Sequence, residues 1–310
     1  NAGSMTQGEV ISLINYMNQI LLSMYVFANV IVILNKASAS YKRCADVLSQ
    51  KPGIVQGINE APSDYQNLIT YDHVSFSYYS GNALTDVSFN ILPGQTIGII
   101  GGTGSGKTTL INLIPRFYDV TEGEIRIKDL PIKSYKFKDL RNMISIVPQQ
   151  VTLFGGTIRE NMQWGHPHAT DEEIYEALEL SQSKEFVDKM TKGLDTYIEQ
   201  GGKNVSGGQR QRLTIARALV KKPEILILDD SASALDFATD AKLRKALSTL
   251  NMTVIIVSQR VSALMHADSI VVLSHGEVVG QGTHDMLMNT CDVYQEIVMS
   301  QMEGGQNNEE

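Results

Sequence analysis

The sequence predicts an α/β fold on a largely parallel sheet, and three observations predict it. The apolar run TIGII (96–100) enters the glycine loop GGTGSGKT (101–108), which is followed by the helical stretch TTLINLI ending at Pro115. EILILD (224–229) and TVIIVS (253–258) are two more short apolar runs, and a helical pattern around 239–250 lies between them. Such alternation of buried strand and helix is the mark of a mostly parallel sheet. LITYDHVSFSY and LTDVSFNIL instead alternate apolar and polar residues, as strands of an antiparallel layer do, before LPGQ turns the chain.

From the N-terminus, the first element is a helix of membrane character. The 26 residues between Glu9 and Lys36 carry no charge, enough to cross a bilayer core of ~30 Å. At about 100° per residue, Asn15, Asn18, Tyr25 and Asn29 fall within an arc of roughly 80°. Polar groups at that depth need a protein or water neighbour, so this side is expected to face a bundle interior or cavity. Lys36, Lys42 and Arg43 follow directly and match the positive-inside rule, which places the rest of the chain in the cytosol. The expected division is 1–51 for this helix and its cytosolic extension, 52–67 for a linker with two prolines and two glycines, and 68–302 for the folded domain. The tail 303–310 is expected to be disordered. Residues 171–192 carry a helical pattern with Asp171 as the expected cap.

Bulk properties narrow the function. The net charge of −8 over 310 residues excludes a nucleic-acid-coating protein. Two cysteines far apart, Cys44 and Cys291, give no disulfide framework or metal spacing and fit a reducing compartment. The N-terminus has no basic region ahead of its apolar stretch, so no cleavable signal peptide is expected. One membrane helix forms no pathway, and the chain reads as the C-terminal part of a longer protein.

The chemistry is concentrated in two motifs. Gly101, Gly102, Thr103, Gly104, Ser105, Gly106, Lys107 and Thr108 fit G-x-x-x-x-G-K-[ST], and Thr109 follows. Glycines let backbone N–H groups curl around phosphates, Lys107 reaches the β- and γ-phosphates, and the Thr108 hydroxyl ligates Mg2+. Asp229 closes an apolar run and so stands at the carboxyl end of a central strand, placed to hold the metal through water.

VSGGQRQRLTIARAL (205–219) adds a helix that opens on Ser206, Gly207, Gly208 and Gln209. This stretch resembles the signature motif of ATP-binding-cassette (ABC) ATPases, and the resemblance extends over residues 68–302. It implies a P-loop NTPase ABC cassette: a mostly parallel core sheet, an antiparallel β subdomain and a helical subdomain, preceded here by a long N-terminal helix. It further implies ATP and Mg2+ as cofactors, Tyr78 as the aromatic that stacks on adenine, Gln149 as a residue touching Mg2+, Glu199 as the acidic residue of the loop before the signature, and SALD (233–236) as a loop at a dimer interface. GSMTQGEVISLINYMNQI with the following A-S-A-S-x-K-R stretch resembles the last transmembrane helix of ABC exporters and its extension.

Two positions depart from that family's pattern. Asp230 stands where a glutamate usually polarises the attacking water. Its carboxylate is drawn back by roughly an ångström or more, a misplacement that costs on the order of a hundredfold in rate. Gln259 stands at the switch histidine and never carries a charge toward a γ-phosphate. With Lys107, these are the candidate catalytic residues. The combination resembles the degenerate-site subunit of a heterodimeric multidrug-type exporter, whose cassettes pair head to tail. The resemblance implies a second half-transporter chain as partner, a cell-membrane location with the ATPase domain on the cytoplasmic side, an unidentified transported small molecule and no nucleic acid. The alternatives are a homodimeric exporter with slow hydrolysis and a soluble ABC ATPase not tied to transport.

Overall fold

The strand and helix pattern read from the sequence is present in a computed structural model, which describes residues 5–79, 81–231 and 235–306. The chain divides into two units at Gly53/Ile54. The first is helix α1 (Gln7–Ser49), 43 residues without a buried side chain. Thr6 starts it through a capping box: its hydroxyl accepts from the Glu9 N–H while the Glu9 carboxylate accepts from the Thr6 N–H. The helix is long and apolar enough to cross a membrane, with mean hydropathy 1.8 over its most apolar window.

The second unit is built on two larger sheets. An antiparallel sheet forms from β1 (Ile69–Ser77), β2 (Asn82–Ile91), β4 (Glu122–Ile127) and β5 (Leu130–Pro131), in the order β2-β1-β4-β5. The main sheet has six strands: β3 (Thr96–Gly101), β6 (Ile144–Val147), β9 (Ile225–Asp229), β10 (Thr253–Val257), β11 (Ser269–Ser274) and β12 (Glu277–Gly282). Their order is β12-β11-β3-β10-β9-β6, parallel throughout except for the edge strand β12. β9 and β10 are buried along their whole length, which is why their sequences are unbroken apolar runs rather than alternating ones.

Helices α2 (Lys107–Leu113), α3 (Phe137–Asn142), α8 (Phe237–Leu247), α9 (His284–Thr290) and α10 (Asp292–Gln306) accompany this sheet. A helical region follows β6, with α4 (Ile158–Gln163), α5 (Asp171–Leu180), α6 (Lys184–Asp188) and α7 (Gly207–Leu219), together with the two-residue strands β7 (Gly156–Thr157) and β8 (Tyr197–Ile198). Two apolar cores result. One joins the antiparallel sheet to one face of the main sheet, through Tyr71, Val74, Leu110 and Ile255 among others. The other joins the opposite face to the helical region, through Ile174, Leu213, Ile256 and Tyr294.

Three expectations need correction. Thr170, not Asp171, caps α5: Thr170 has the extended backbone of a cap, φ −75° and ψ 164°, and its hydroxyl accepts from the Glu173 N–H, while Asp171 is already the first helical residue. The helical pattern over 171–192 breaks in two, because Gln182 takes a left-handed φ of 59° between buried Ser181 and Ser183, whose hydroxyls bond each other at 2.9 Å. The tail is helical through Gln306, since α10 is anchored by buried Tyr294 and Val298; residues 307–310 lie outside the described residues.

Within the stretch 52–67, residues from Ile54 onward belong to the second unit. Gly57 N–H donates to the Tyr135 carbonyl at 2.8 Å, and Asn59 pairs with Tyr135 as an isolated bridge. A side chain at Gly57 would run into the Ser134 backbone at 2.0 Å, so glycine permits this close approach.

Candidate nucleotide site

Strand order assembles the site. β3, β10, β9 and β6 are consecutive parallel neighbours. The residues that leave their carboxyl ends are the glycine loop, Ser258 and Gln259, Asp229 and Asp230, and Gln149. Four segments far apart in sequence thus meet at one edge of the sheet, the edge where parallel α/β sheets bind ligands.

A cavity of about 350 Å³ lies there. Thr103 to Thr109, Gln149, Asp229, Asp230 and Gln259 line it, so the residues expected at the γ-phosphate and metal positions share one space. Gly101 and Gly102 contribute backbone instead: Lys107 Nζ donates to their carbonyls at 2.9 and 2.7 Å. Burial lowers the Lys107 pKa, and the charges of Asp229 and Asp230 oppose that shift. Asp229 is 8 % exposed, and burial followed by the neighbouring Asp230 charge raises its carboxyl above the ordinary carboxylate range. Asp230 has a left-handed backbone, φ 46°, with its N–H donating to the Val257 carbonyl at 2.8 Å.

Gly106 caps α2 with φ 100°. A Cβ there would stand 2.7 Å from the Ala83 carbonyl, so both conformation and space demand glycine. The loop is also tied down from outside. Gly276, in the turn between β11 and β12, donates its N–H to the Ser105 carbonyl at 3.2 Å and accepts from the Thr85 N–H at 2.9 Å. Gly276 and Ala83 carry no motif that marks them in the sequence, whereas Ser258 stands beside the switch position Gln259. The His275-Gly276 pair between two apolar strands was the available signal for the turn, but nothing local shows that it touches the loop.

The donor set suits a hard cation. A threonine hydroxyl, a glutamine amide oxygen and an aspartate carboxylate, from Thr108, Gln149 and Asp229, are oxygen ligands of the kind Mg2+ takes together with phosphate oxygens. Among the described residues no cluster of three or more histidine, cysteine or carboxylate side chains offers an alternative centre.

Other predicted residues stand apart. Tyr78 does not line the cavity; its hydroxyl lies 3.4 Å from the Thr109 hydroxyl, and its ring packs edge-on against Phe76 and Tyr118. Ser206 caps α7 in a capping box with Gln209, and space around Gly207 is open. Neither Ser206 nor Gly207, Gly208 and Gln209 reach the cavity of their own chain. Glu199 holds a tight turn, its carbonyl accepting from the Gly202 N–H at 2.7 Å. Of SALD, Ser233 and Ala234 lie outside the described residues, Leu235 is buried, and Asp236 caps α8.

Comparison with known proteins agrees with this geometry. Residues 84–233 match the family model described as "ABC transporter". An uncharacterized ABC transporter ATP-binding protein of Bacillus subtilis, YfiB, is 42% identical over 302 residues, spanning 97% of this chain and 52% of that protein. A putative multidrug export ATP-binding/permease protein of Staphylococcus aureus is 42% identical over 249 residues, 79% of this chain and 43% of that protein. The chain therefore spans about half the length of the curated relatives it matches. Among solved structures, a bacterial Atm1-family ABC exporter with ATP bound superposes with a TM-score of 0.82 at 29% identity, covering 97% of this chain and 54% of that one.

Proposed function

From the premise that this chain carries an ATP-binding domain of the ABC transporter family, we propose that it is the ATP-binding half of an exporter subunit whose own phosphate-loop site binds ATP and hydrolyses it poorly. The observation that carries the reading is the shared cavity: Asp230 and Gln259, the two departures from the hydrolytic pattern, line it together with Lys107 and Thr108. Lys107 and the loop N–H groups take the phosphates, while Thr108, Gln149 and Asp229 would hold Mg2+, which would supply charge neutralisation to the bound phosphates. Tyr78, beside Thr109, stacks on adenine. At the γ-phosphate, Asp230 is too short to orient a water well, and neutral Gln259 stabilises developing charge weakly.

The signature residues Ser206 to Gln209 point to a second cassette. They stand at the start of α7 without contributing to the cavity of their own chain, which supports a head-to-tail pair in which they complete the partner's site. The partner is a distinct half-transporter carrying the glutamate and histidine that this chain lacks. Helix α1 is the last membrane helix, so the cassette lies on the cytoplasmic side of the cell membrane and the pair exports a small molecule.

The test is steady-state ATPase activity and ATP binding of the 310-residue chain, unmodified and with Asp230→Glu plus Gln259→His. ATP binding with almost no turnover, raised by the double change, is the expected result. Ordinary turnover in the unmodified chain would leave a homodimeric exporter as the reading.

A further inference from the structure

The switch position is gripped from a place that no phosphate-site motif includes. Gln301, on α10, places its amide against the loop after β10: Nε2 donates to the Gln259 carbonyl at 2.7 Å, and Oε1 accepts from the Val261 N–H at 2.9 Å. The orientation of this amide is fixed by its partners, because a main-chain carbonyl only accepts and an N–H only donates. The sheet holds the other end of the same loop, with the Ser258 N–H donating to the Ile99 carbonyl at 3.1 Å and the Ser258 hydroxyl accepting from the Arg260 N–H at 3.0 Å. Four successive residues, 258 to 261, are thereby fixed through their main chain, two by the sheet side and two by Gln301.

The placement of Gln301 follows from its helix. Tyr294, Ile297 and Val298 form the apolar stripe of α10, and the first and last of these are buried in the core. Gln301 continues that stripe at i+7 and i+3 spacing, where another apolar residue is the default. Its amide meets instead the Gln259 carbonyl and the N–H of Val261, the first residue of a short 3-10 turn. A side chain with both a donor and an acceptor at the end of two methylenes is what this span requires: asparagine is shorter, glutamate cannot donate, and leucine can do neither.

We propose that Gln301 is a positioning residue for Gln259, tying the C-terminal helix to the terminal-phosphate end of the nucleotide cavity. This rests on the reading that the cavity binds ATP with Gln259 at its γ-phosphate. The clamp acts on the backbone of Gln259 and so sets where its amide side chain points. ATP senses this and ADP does not, because only ATP carries the phosphate that Gln259 faces.

Titration of the full chain in detergent with Mg-ATP and with Mg-ADP tests this, using Gln259→Ala, Gln301→Ala, Gln301→Glu and the Gln259→Ala/Gln301→Ala pair, with melting temperature followed for each. Gln301→Ala is expected to weaken ATP about fivefold, the size of one lost hydrogen bond, with ADP affinity unchanged. Gln301→Glu, nearly the same shape, is expected to do the same or more, because a carboxylate faces the Gln259 carbonyl. In the Gln259→Ala background Gln301→Ala is expected to add nothing. Equal weakening of ATP and ADP, additive losses in the pair, or Gln301 variants that bind ATP normally while Gln259→Ala does not, would each overturn the proposal. Should the unmodified chain fail to bind ATP, or Gln259→Ala leave ATP unaffected, the underlying reading of the cavity falls and takes the clamp with it.

Discussion

The Gln149 amide donates to the Asp230 carboxylate at 3.4 Å, linking the residue beyond β6 to the residue beyond β9 across the mouth of the nucleotide cavity. These two positions are 81 residues apart in sequence and meet because β6 and β9 are neighbours in register, Val147 opposite Leu228. The carboxylate proposed to stand in the place of the water-orienting group is thus already engaged by the residue expected at the metal.

Asp230→Glu is expected to raise turnover and lower stability together. Asp230 occupies the left-handed region, φ 46°, which aspartate tolerates better than glutamate because its short side chain bonds locally. Glutamate there is expected to cost about 1 kcal/mol, the lower end of the left-handed penalty for an ordinary residue. Asp230→Asn, equally tolerant of that backbone, is expected to keep the melting temperature and gain no turnover. Thermal unfolding of the two variants beside ATPase rates checks the pair; a glutamate variant at least as stable as the parent contradicts the strain argument.

Gly106→Ala should abolish nucleotide binding and destabilise the cassette. The added Cβ meets the Ala83 carbonyl at 2.7 Å and Leu84 at 2.9 Å, in a backbone with φ 100°. The strain of such a conformation alone is about 1–2 kcal/mol, before any steric shift. Gly104→Ala is the control: its φ of 78° is similarly left-handed, but nothing lies within 4 Å of a Cβ there. A smaller loss of melting temperature at Gly104 than at Gly106 is the expected ranking.

How far the sequence can be read depends on whether a signal is local. The glycine loop, the Asp229 strand and the signature helix are each contiguous, and each element forms where its own residues predict it. β11 and β12 are no shorter than β9 and β10 but lead into no motif, so the antiparallel edge of the main sheet was not legible. Thr170 was missed as a cap because Asp171 and Thr170 are both cap formers and only the φ of each decides. Gln301 and Gly276 act through main-chain groups of distant loops, and pairing of that kind leaves no pattern along the chain.

The His73–Asp86 pair is expected to give a local pH response in the β1–β2 hairpin. The Asp86 carboxylate bonds the imidazole at 2.6 Å and raises its pKa above the ordinary 6.5, mainly through that hydrogen bond and then through its charge. A raised histidine contributes its stabilisation fully below 6.5 and loses it as pH rises through the folded-state value. Both groups are well exposed, so the effect belongs to the hairpin rather than to global unfolding. An imidazole titration by NMR is the check, and Asp86→Asn is expected to bring the midpoint down.

Ser206 separates a structural from a functional role for the signature. Its hydroxyl accepts from the Gln209 N–H at 3.2 Å while the Gln209 amide oxygen accepts from the Ser206 N–H at 3.0 Å, so both residues cap the 13-residue α7. Ser206→Ala is expected to cost about 1 kcal/mol through loss of the cap. Ser206→Asp keeps a capping oxygen, and with it the melting temperature, but adds negative charge where a partner's γ-phosphate would approach. Because Ser206 does not line its own chain's cavity, ATP affinity of the chain alone is expected to be unchanged in both variants. With the complementary half-transporter added, Ser206→Asp is expected to suppress the ATPase activity of the pair far more than its stability suggests. Loss of ATP affinity in the isolated chain would instead place the signature at its own site and remove the basis for a head-to-tail pair.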